Sequence, residues 1–229
     1  MRLTALLLFA TLTAAAAGEN RHEWPQFKGG PGFVGYSPDG SVRPPFKLLW
    51  EFRVDADGSG DASCGVLVAA DKVFMGMWSI QAVLAVDAHT GRFLWETPLK
   101  GLSGRTAIAY ADGRIFAVRA RENIMVALDA DTGKELWSTR LAGKSSIYTA
   151  RFRNGTAVWE GKVFGLDHGG DPAVVALDVK TGKPIWRAKL DPKYGKDLIP
   201  PCVAGGRVFV GISKVTRKPK SGGGATYAL

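Results

Sequence analysis

Cysteine is scarce in this 229-residue chain, which has only Cys64 and Cys202. Two cysteines exclude a disulfide-rich scaffold, because such domains are held by several bridges. The chain also lacks the full Gly-x-x-x-x-Gly-Lys-Ser phosphate loop, the Gly-x-Ser-x-Gly nucleophile elbow and the His-Glu-x-x-His zinc helix. Three common classes of enzyme site are therefore not indicated, and we predict no catalytic residue and no metal ligand.

Long apolar runs and nucleic-acid-binding patterns are missing as well. After the N-terminus, no apolar stretch approaches the roughly 20 residues of a membrane span. The net charge is +9, from 30 basic and 21 acidic residues, but no block of Lys and Arg alternates with aromatic residues. We therefore expect no membrane span and no nucleic-acid partner.

The first 17 residues have the features of a secretory signal peptide. Arg2 gives a positive start, residues 3–14 form a short apolar run, and Ala15 and Ala17 provide a small-x-small cleavage site. We expect cleavage before Gly18. No cysteine follows the apolar run, so the lipid anchor of many exported bacterial proteins is excluded at this place. The sequence predicts a periplasmic or secreted protein.

Glycine and tryptophan are abundant, with 29 and 7 residues, and they belong to a repeat. An apolar run followed by Asp-x-x-Thr-Gly-x-x-x-Trp occurs three times, about every 45 residues. A second pattern, a basic residue followed by Val or Ile and then Phe, keeps the same spacing. Two patterns with one period indicate a tandem repeat. The repeated residues are Asp87, Gly91, Trp95, Asp129, Gly133, Trp137, Asp178, Gly182 and Trp186.

Each part of the repeat has a structural role. The apolar run predicts a buried strand, and the segment before the tryptophan predicts its hairpin partner. In the turn between them, the Asp and Thr oxygens take up free N–H groups, and the Gly accepts a positive φ. The Trp fills the wedge between diverging sheets at their outer edge. Because these residues recur three times, we interpret all of them as structural.

The period predicts an all-β fold, a β-propeller of four-stranded antiparallel blades. Residues 61–100, 103–142 and 147–191 are predicted to form three complete blades, and residues 199–229 begin a fourth. This arrangement places Cys64 in the first blade and Cys202 in the fourth, which do not touch in a ring. Two unpaired thiols are therefore favoured over a disulfide.

The repeat resembles the pyrroloquinoline-quinone-like repeat, and residues 24–30 resemble the segment that precedes such propellers in exported bacterial proteins. The resemblance implies an eight-bladed ring of the quinoprotein alcohol dehydrogenase-like superfamily. It is compatible with two functions. One is a non-catalytic binding or scaffold module of the cell envelope. The other is part of a periplasmic dehydrogenase that oxidises alcohols or sugars with pyrroloquinoline quinone and calcium.

The quinone-dependent enzymes have two adjacent cysteines, an Asp base and Glu, Asn and Asp ligands for calcium. Here Cys64 and Cys202 are far apart, and asparagine occurs only at Asn20, Asn123 and Asn154. We therefore favour the non-catalytic module, without a cofactor and with a protein or an envelope polysaccharide as its partner. Pyrroloquinoline quinone with calcium belongs to the alternative alone, and no cofactor-binding residue is assigned.

The chain divides into a signal peptide (1–17), a lead-in (18–60) and a partial propeller (61–229). Trp50 lies in register with the repeated tryptophans, so its strand is expected to complete the last blade of the ring. Residues 227–229 align with the third strand of earlier blades. The missing blades are therefore expected from a longer chain or, as the less favoured alternative, from self-association. We expect the first blade to have an uncovered apolar face.

Two loops concentrate charge. His168 lies between Asp167 and Asp171 in a hairpin loop with two glycines, where a simple turn is favoured over a metal site. A basic stretch before residues 221–224 is either a contact for an acidic partner or a solvated loop tip, and the loop tip is favoured. Its residues are Lys214, Arg217, Lys218 and Lys220.

Overall fold

The computed structural model describes residues 25–26, 43–54, 66–102, 108–120, 122–141, 156–167, 171–195, 197–214 and 223–229. Within these ranges, every regular element is a β-strand except one short 3₁₀ helix, Pro192–Tyr194. In the same ranges no helix is both long and apolar enough to cross a bilayer. The all-β prediction is confirmed, whereas the predicted signal peptide lies outside the described residues.

The strands form four antiparallel sheets, each of which is one blade, and in the first three blades they pair in chain order. Blade one comprises β1 (Val66–Ala69), β2 (Lys72–Met77), β3 (Ala82–Asp87) and β4 (Phe93–Pro98). Blade two comprises β5 (Ala109–Ala111), β6 (Arg114–Arg119), β7 (Ile124–Asp129) and β8 (Glu135–Arg140). Blade three comprises β9 (Ala157–Trp159), β10 (Lys162–Asp167), β11 (Ala173–Asp178) and β12 (Pro184–Lys189). Blade four comprises β13 (Asp197–Leu198), β14 (Cys202–Ala204), β15 (Arg207–Lys214) and β16 (Gly223–Ala228).

The third strand of each complete blade is buried on both faces. In β3 the residues from Ala82 to Val86 are all buried, and in β7 those from Met125 to Leu128. The fourth strands β8 and β12 instead alternate between exposed and half-buried residues. A strand covered on both faces has an unbroken apolar sequence, which explains the apolar run before each repeated aspartate.

The blades converge at their first strands. Strand β1 contacts β5, β5 contacts β9, and β9 contacts β14. Neighbouring blades therefore face each other across apolar layers, and each layer contains a fully buried phenylalanine from a second strand. These residues are Phe74, Phe116 and Phe164. The arrangement is the partial radial array that the repeat predicts, with Trp95, Trp137 and Trp186 on the fourth strands of their blades.

The fourth blade differs from the other three. It begins at Asp197, slightly before the predicted residue 199. Strands β13 and β14 both pair with β15 and together take the place of a single first strand. Strand β16 takes the third place, because Phe209 pairs with Ala228 as Phe74 pairs with Ala85 in blade one. The described part of this blade thus has three of the four strand positions.

The lead-in covers part of the first blade. Residues 43–54 lie outside every described sheet, and Trp50, Phe52 and Val54 pack against an apolar cluster that includes Val73 and Leu84. The expectation of an uncovered face on the first blade was therefore wrong in part. Aromatic side chains of the lead-in reach this face without a sheet pairing, because packing requires only apolar contact.

Candidate functional site

The repeated turn is closed by its own aspartate. In blade one, Asp87 Oδ1 accepts hydrogen bonds from His89 N at 3.1 Å, Thr90 N at 2.8 Å and Thr90 Oγ1 at 2.7 Å. Gly91 N donates to Asp87 O at 2.9 Å, and Gly91 has a φ of 70°. Asp129 and Asp178 accept the same set of bonds, and Gly133 and Gly182 have φ values of 72° and 67°.

These hydrogen bonds also fix the charge of the carboxylates. The hydroxyl and then the N–H of the turn threonine lower the pKa of Asp87, Asp129 and Asp178 below its ordinary value. The three side chains are therefore ionised near neutral pH, and each has an oxygen engaged within its own turn. A general base or a metal ligand needs an oxygen directed at a substrate or an ion. In all three aspartates Oδ1 is occupied by the turn, as the structural interpretation of the repeat predicts.

A tryptophan joins each blade to the next at the outer edge. Trp95 Nε1 donates to Ala130 O at 3.1 Å, and the indole lies so close to Gly133 that a Cβ there would be 2.6 Å from it. Thr97 Oγ1 donates to Gly133 O at 2.6 Å. The turn thus needs glycine for its positive φ and for the close approach of the indole. Trp137 and Thr139 repeat these contacts on Val179 and Gly182.

Trp50 makes the same contact on blade one, although it precedes the first complete repeat. Its Nε1 donates to Ala88 O at 3.0 Å, and a Cβ on Gly91 would be 2.7 Å from its ring. Trp50 therefore occupies the position of a fourth-strand tryptophan relative to blade one. Its expected part in completing a last blade stays a prediction.

The fourth-strand tryptophan of blade three lies at the junction with blade four. The ring of Trp186 packs against Phe164 with their centroids 5.8 Å apart, and it lines a cleft of about 500 Å³. Trp159 and two cationic residues, Lys162 and Arg187, line the same cleft.

A buried polar network crosses the junction between blades two and three, at the strand ends opposite the repeated turns. The fully buried Asp167 carboxylate accepts hydrogen bonds from Asn123 Nδ2 at 3.0 Å and from Arg187 Nη2. Arg187 Nη1 donates to Leu141 O at 3.2 Å. The Arg187 side chain is 34% exposed, so the buried negative charge is paired with a cation that reaches solvent. Asn123 is buried at a φ of 55°.

The sequence did not predict this network. Asp167 attracted attention only as a neighbour of His168, and Asn123 only as one of three asparagines. The available signal was a departure from the repeat, because Arg187 follows its tryptophan where the other two complete blades have Glu96 and Ser138. A single charged residue at one such position does not identify its partner, which is distant in sequence.

The remaining candidates do not form a site in the described part of the chain. Cys202 lies in β14 as a half-buried free thiol, and Lys214 ends β15. Within the described ranges, no three His, Cys, Asp or Glu side chains are grouped closely enough to hold a metal ion. Cys64, His168, Arg217, Lys218 and Lys220 lie outside those ranges.

Comparisons with known proteins agree with this architecture. The family described as outer membrane protein assembly factor BamB matches residues 79–151 and 144–217, more than half of the chain. The quinohemoprotein alcohol dehydrogenase ADHIIG from Pseudomonas putida HK5 is 19% identical, with a TM-score of 0.65 over 84% of this chain and 34% of that protein. The quinohemoprotein alcohol dehydrogenase from Comamonas testosteroni is 18% identical, with a TM-score of 0.66 over 86% and 36%. A europium-containing methanol dehydrogenase is 22% identical, with a TM-score of 0.59 over 77% and 36%.

No curated protein matches the chain. At these identities the solved structures show a shared fold alone, and the chain spans about a third of the length of the three dehydrogenases. The family match covers the segments that contain Trp95, Trp137 and the three aspartate-closed turns. The chain belongs to the family of pyrroloquinoline-quinone-like repeat β-propellers described as outer membrane protein assembly factor BamB.

Proposed function

We propose that this chain is an exported, non-catalytic module that binds a protein of the cell envelope. The proposal rests chiefly on how the polar groups of the repeat are used. Asp87, Asp129 and Asp178 bond within their own turns, and the indoles of Trp95 and Trp137 bond to the backbone of the next blade. These contacts lie within the propeller itself, which supports a structural use of the repeat. Such a repeat suits a scaffold.

A protein partner is favoured over a polysaccharide by the outer strands. Leu136 in β8 and Ile185 in β12 precede their tryptophans at equivalent positions and are 46% and 48% exposed. Both strands lie at the edge of a sheet, where apolar side chains and unpaired backbone groups favour contact with another chain. The family description, which names an assembly factor, supports the same choice.

Site-directed crosslinking tests the partner. A photoreactive residue in place of Leu136 or Ile185 is expected to capture the same envelope protein in intact cells. The matched control places it at Lys134, which is exposed in the turn next to β8. Capture of that protein from all three positions, or from Lys134 alone, would contradict an outer-strand binding surface.

Export is tested on the full chain with its N-terminus intact. The short apolar run and Ala15-Ala16-Ala17 favour secretion, so the processed protein is expected outside the cytoplasm with Gly18 as its first residue. N-terminal sequencing of the fractionated protein measures this. An unprocessed chain in the cytoplasm would contradict the proposed location in the cell envelope.

The alternative function, part of a quinone-dependent dehydrogenase, predicts a different result. When the purified chain is mixed with pyrroloquinoline quinone and calcium, we expect no saturable binding by calorimetry. We also expect no dye reduction that depends on an alcohol or a sugar. Stoichiometric binding of the quinone with turnover would contradict the scaffold function and support the dehydrogenase function.

A further inference from the structure

Two residues of the lead-in contact the first strands of two blades. Pro25 O accepts a hydrogen bond from Tyr110 N in β5 at 2.7 Å. The side-chain amide of Gln26 binds Val158 in β9 twice, because Nε2 donates to Val158 O and Oε1 accepts from Val158 N, each at 2.9 Å. Strands β5 and β9 are in contact, so these consecutive residues span the junction between blades two and three.

These bonds lie on the edges that face the axis of the array. In their sheets, β5 pairs with β6 and β9 pairs with β10, each on one side only. The other edge of each strand faces the line along which the first strands converge. Gln26 is only 5% exposed, so its contact with Val158 is shielded from water. The lead-in thus takes the place of a neighbouring strand at this edge.

The contact needs a side chain with one donor and one acceptor, which the amide of Gln26 provides at neutral pH. The Gln26 side chain offers one donor and one acceptor to a single residue, as a peptide group does in a sheet. A carboxylate accepts but does not donate, and an apolar side chain does neither. Without the amide, the Val158 N–H and C=O would both lose their partners in a buried place, which is costly.

We propose that Pro25 and Gln26 form a strap that fastens blades two and three together and caps their axis-facing edges, engaging and releasing as one unit. An extended segment of another chain that pairs with these edges must first displace the strap. The repeat does not account for it. The positions equivalent to Tyr110 and Val158 in the other blades are Val68 and Val203, and neither has a described contact with residues 25–26.

Hydrogen exchange of the full chain tests the strap. Gln26→Met keeps the approximate side-chain volume but removes both hydrogen bonds. The Val158 amide is expected to exchange roughly tenfold to a hundredfold faster than in the wild type. Tyr110 in the other blade is expected to exchange faster too, because the strap is released as a unit. The amide of Val175, in the middle of β11, serves as the reference and should be unchanged.

Gln81→Met is the matched control. The side-chain amide of Gln81 also both donates and accepts, since Nε2 donates to Leu102 O at 3.0 Å and Oε1 accepts from Gly101 N at 2.8 Å. Gln81 lies at a different junction from Gln26. This variant should speed exchange at Gly101 and leave Val158 unchanged. Unchanged exchange at Val158 in Gln26→Met would overturn the proposal. Equal acceleration at Val158 and Val175 would also overturn it, because it would reveal a general loss of stability.

Gln26→Glu adds a readout that packing alone does not produce. At neutral pH the carboxylate still accepts from Val158 N but has no donor for Val158 O, so protection of the Val158 amide should lie between that of the wild type and that of Gln26→Met. Protonation restores one donor and one acceptor, so protection relative to the wild type should recover as the pH falls. Burial raises the pKa of a carboxyl, which places the recovery above the ordinary glutamate value of about 4.3. Gln26→Met should show no recovery, and a flat profile for Gln26→Glu would contradict the assigned bonds.

Discussion

The junction between blades one and two and the junction between blades two and three have the same contacts at the outer edge but different contacts elsewhere. Trp95 and Trp137 both donate to the next blade at 3.1 Å, and Thr97 and Thr139 donate to a turn glycine at 2.6 and 2.7 Å. Away from this edge, the second junction has the Asp167 network and the strap, while the first has the Gln81 contacts. The repeat therefore determines how blades dock at the outer edge. Individual residues determine how they are held elsewhere.

The largest loss of stability is expected from a change in the repeated contacts at the outer edge. Gly133→Ala would place a Cβ 2.6 Å from the Trp95 ring at a φ of 72°, and we expect it to lower the free energy of unfolding by roughly 3 kcal/mol. Gly113→Ala is the matched control, because Gly113 has a φ of 69° but no atom within 4 Å of the added Cβ. Its cost should be about 1 kcal/mol. Urea unfolding of both variants measures the difference. Equal losses would show that the indole contact does not constrain the junction.

The second-largest loss of stability is expected from the Asp167 network, which occurs at only one of the two junctions. Asp167→Ala leaves Arg187 and Asn123 without their buried acceptor, and we expect a loss of about 2–3 kcal/mol. The exposed pair of Lys189 with Asp171, 3.5 Å apart, provides the control. Asp171→Ala should cost no more than about 0.5 kcal/mol.

A double variant separates the charge pair from general packing. Replacing Asp167 and Arg187 together by leucine removes both charges, so it should cost less than Asp167→Ala alone. A double-mutant cycle that includes the single variants Asp167→Leu and Arg187→Leu, measured by urea unfolding, gives the coupling energy. Strictly additive losses would show that the two charges do not stabilise the junction jointly.

A smaller loss of stability is expected from the threonine hydroxyls, which allow the outer-edge contacts of the two junctions to be compared in energy. Thr97→Val and Thr139→Val each remove one hydrogen bond to a turn glycine, and each should cost about 1 kcal/mol. The two losses should agree, because the two hydroxyls make the same contact. Thermal unfolding of both variants in one buffer measures them. A loss at only one position would break the equivalence of the two junctions.

The smallest effect concerns pH. The hydrogen bond from the Thr132 hydroxyl, followed by that from its N–H, lowers the pKa of Asp129 below its ordinary value of 3.8. The stabilisation from this carboxylate is therefore complete above that value and is lost as the pH falls through the lower folded-state pKa. The unfolding midpoint of Asp129→Asn should fall less steeply below about pH 4 than that of the wild type. Parallel profiles would show that this turn does not contribute to acid unfolding.

The parts that the sequence predicts are those with a local cause. The turn of Asp129 and Gly133 is fixed by residues within one hairpin, so the pattern predicts its bonds and its positive φ. The start of blade four was missed by a short distance, because a strand as short as Asp197–Leu198 has no periodicity to detect. The contact of Gln26 with Val158 likewise belongs to no repeated sequence pattern. Such pairs depend on where the completed fold brings distant segments together.

The distances in sequence between bonded residues have a consequence for assembly. Trp50, Trp95 and Trp137 reach partners 38, 35 and 42 residues further along the chain, whereas Gln26 reaches one 132 residues away. Closing the longer loop costs about 1 kcal/mol more in chain entropy, and it must wait until blade three has been synthesised. The indole contacts are therefore expected to form in order as the chain leaves the ribosome. Gln26, although made early, therefore cannot be fixed in place until Val158 has been made, well after Trp50 has reached its own partner.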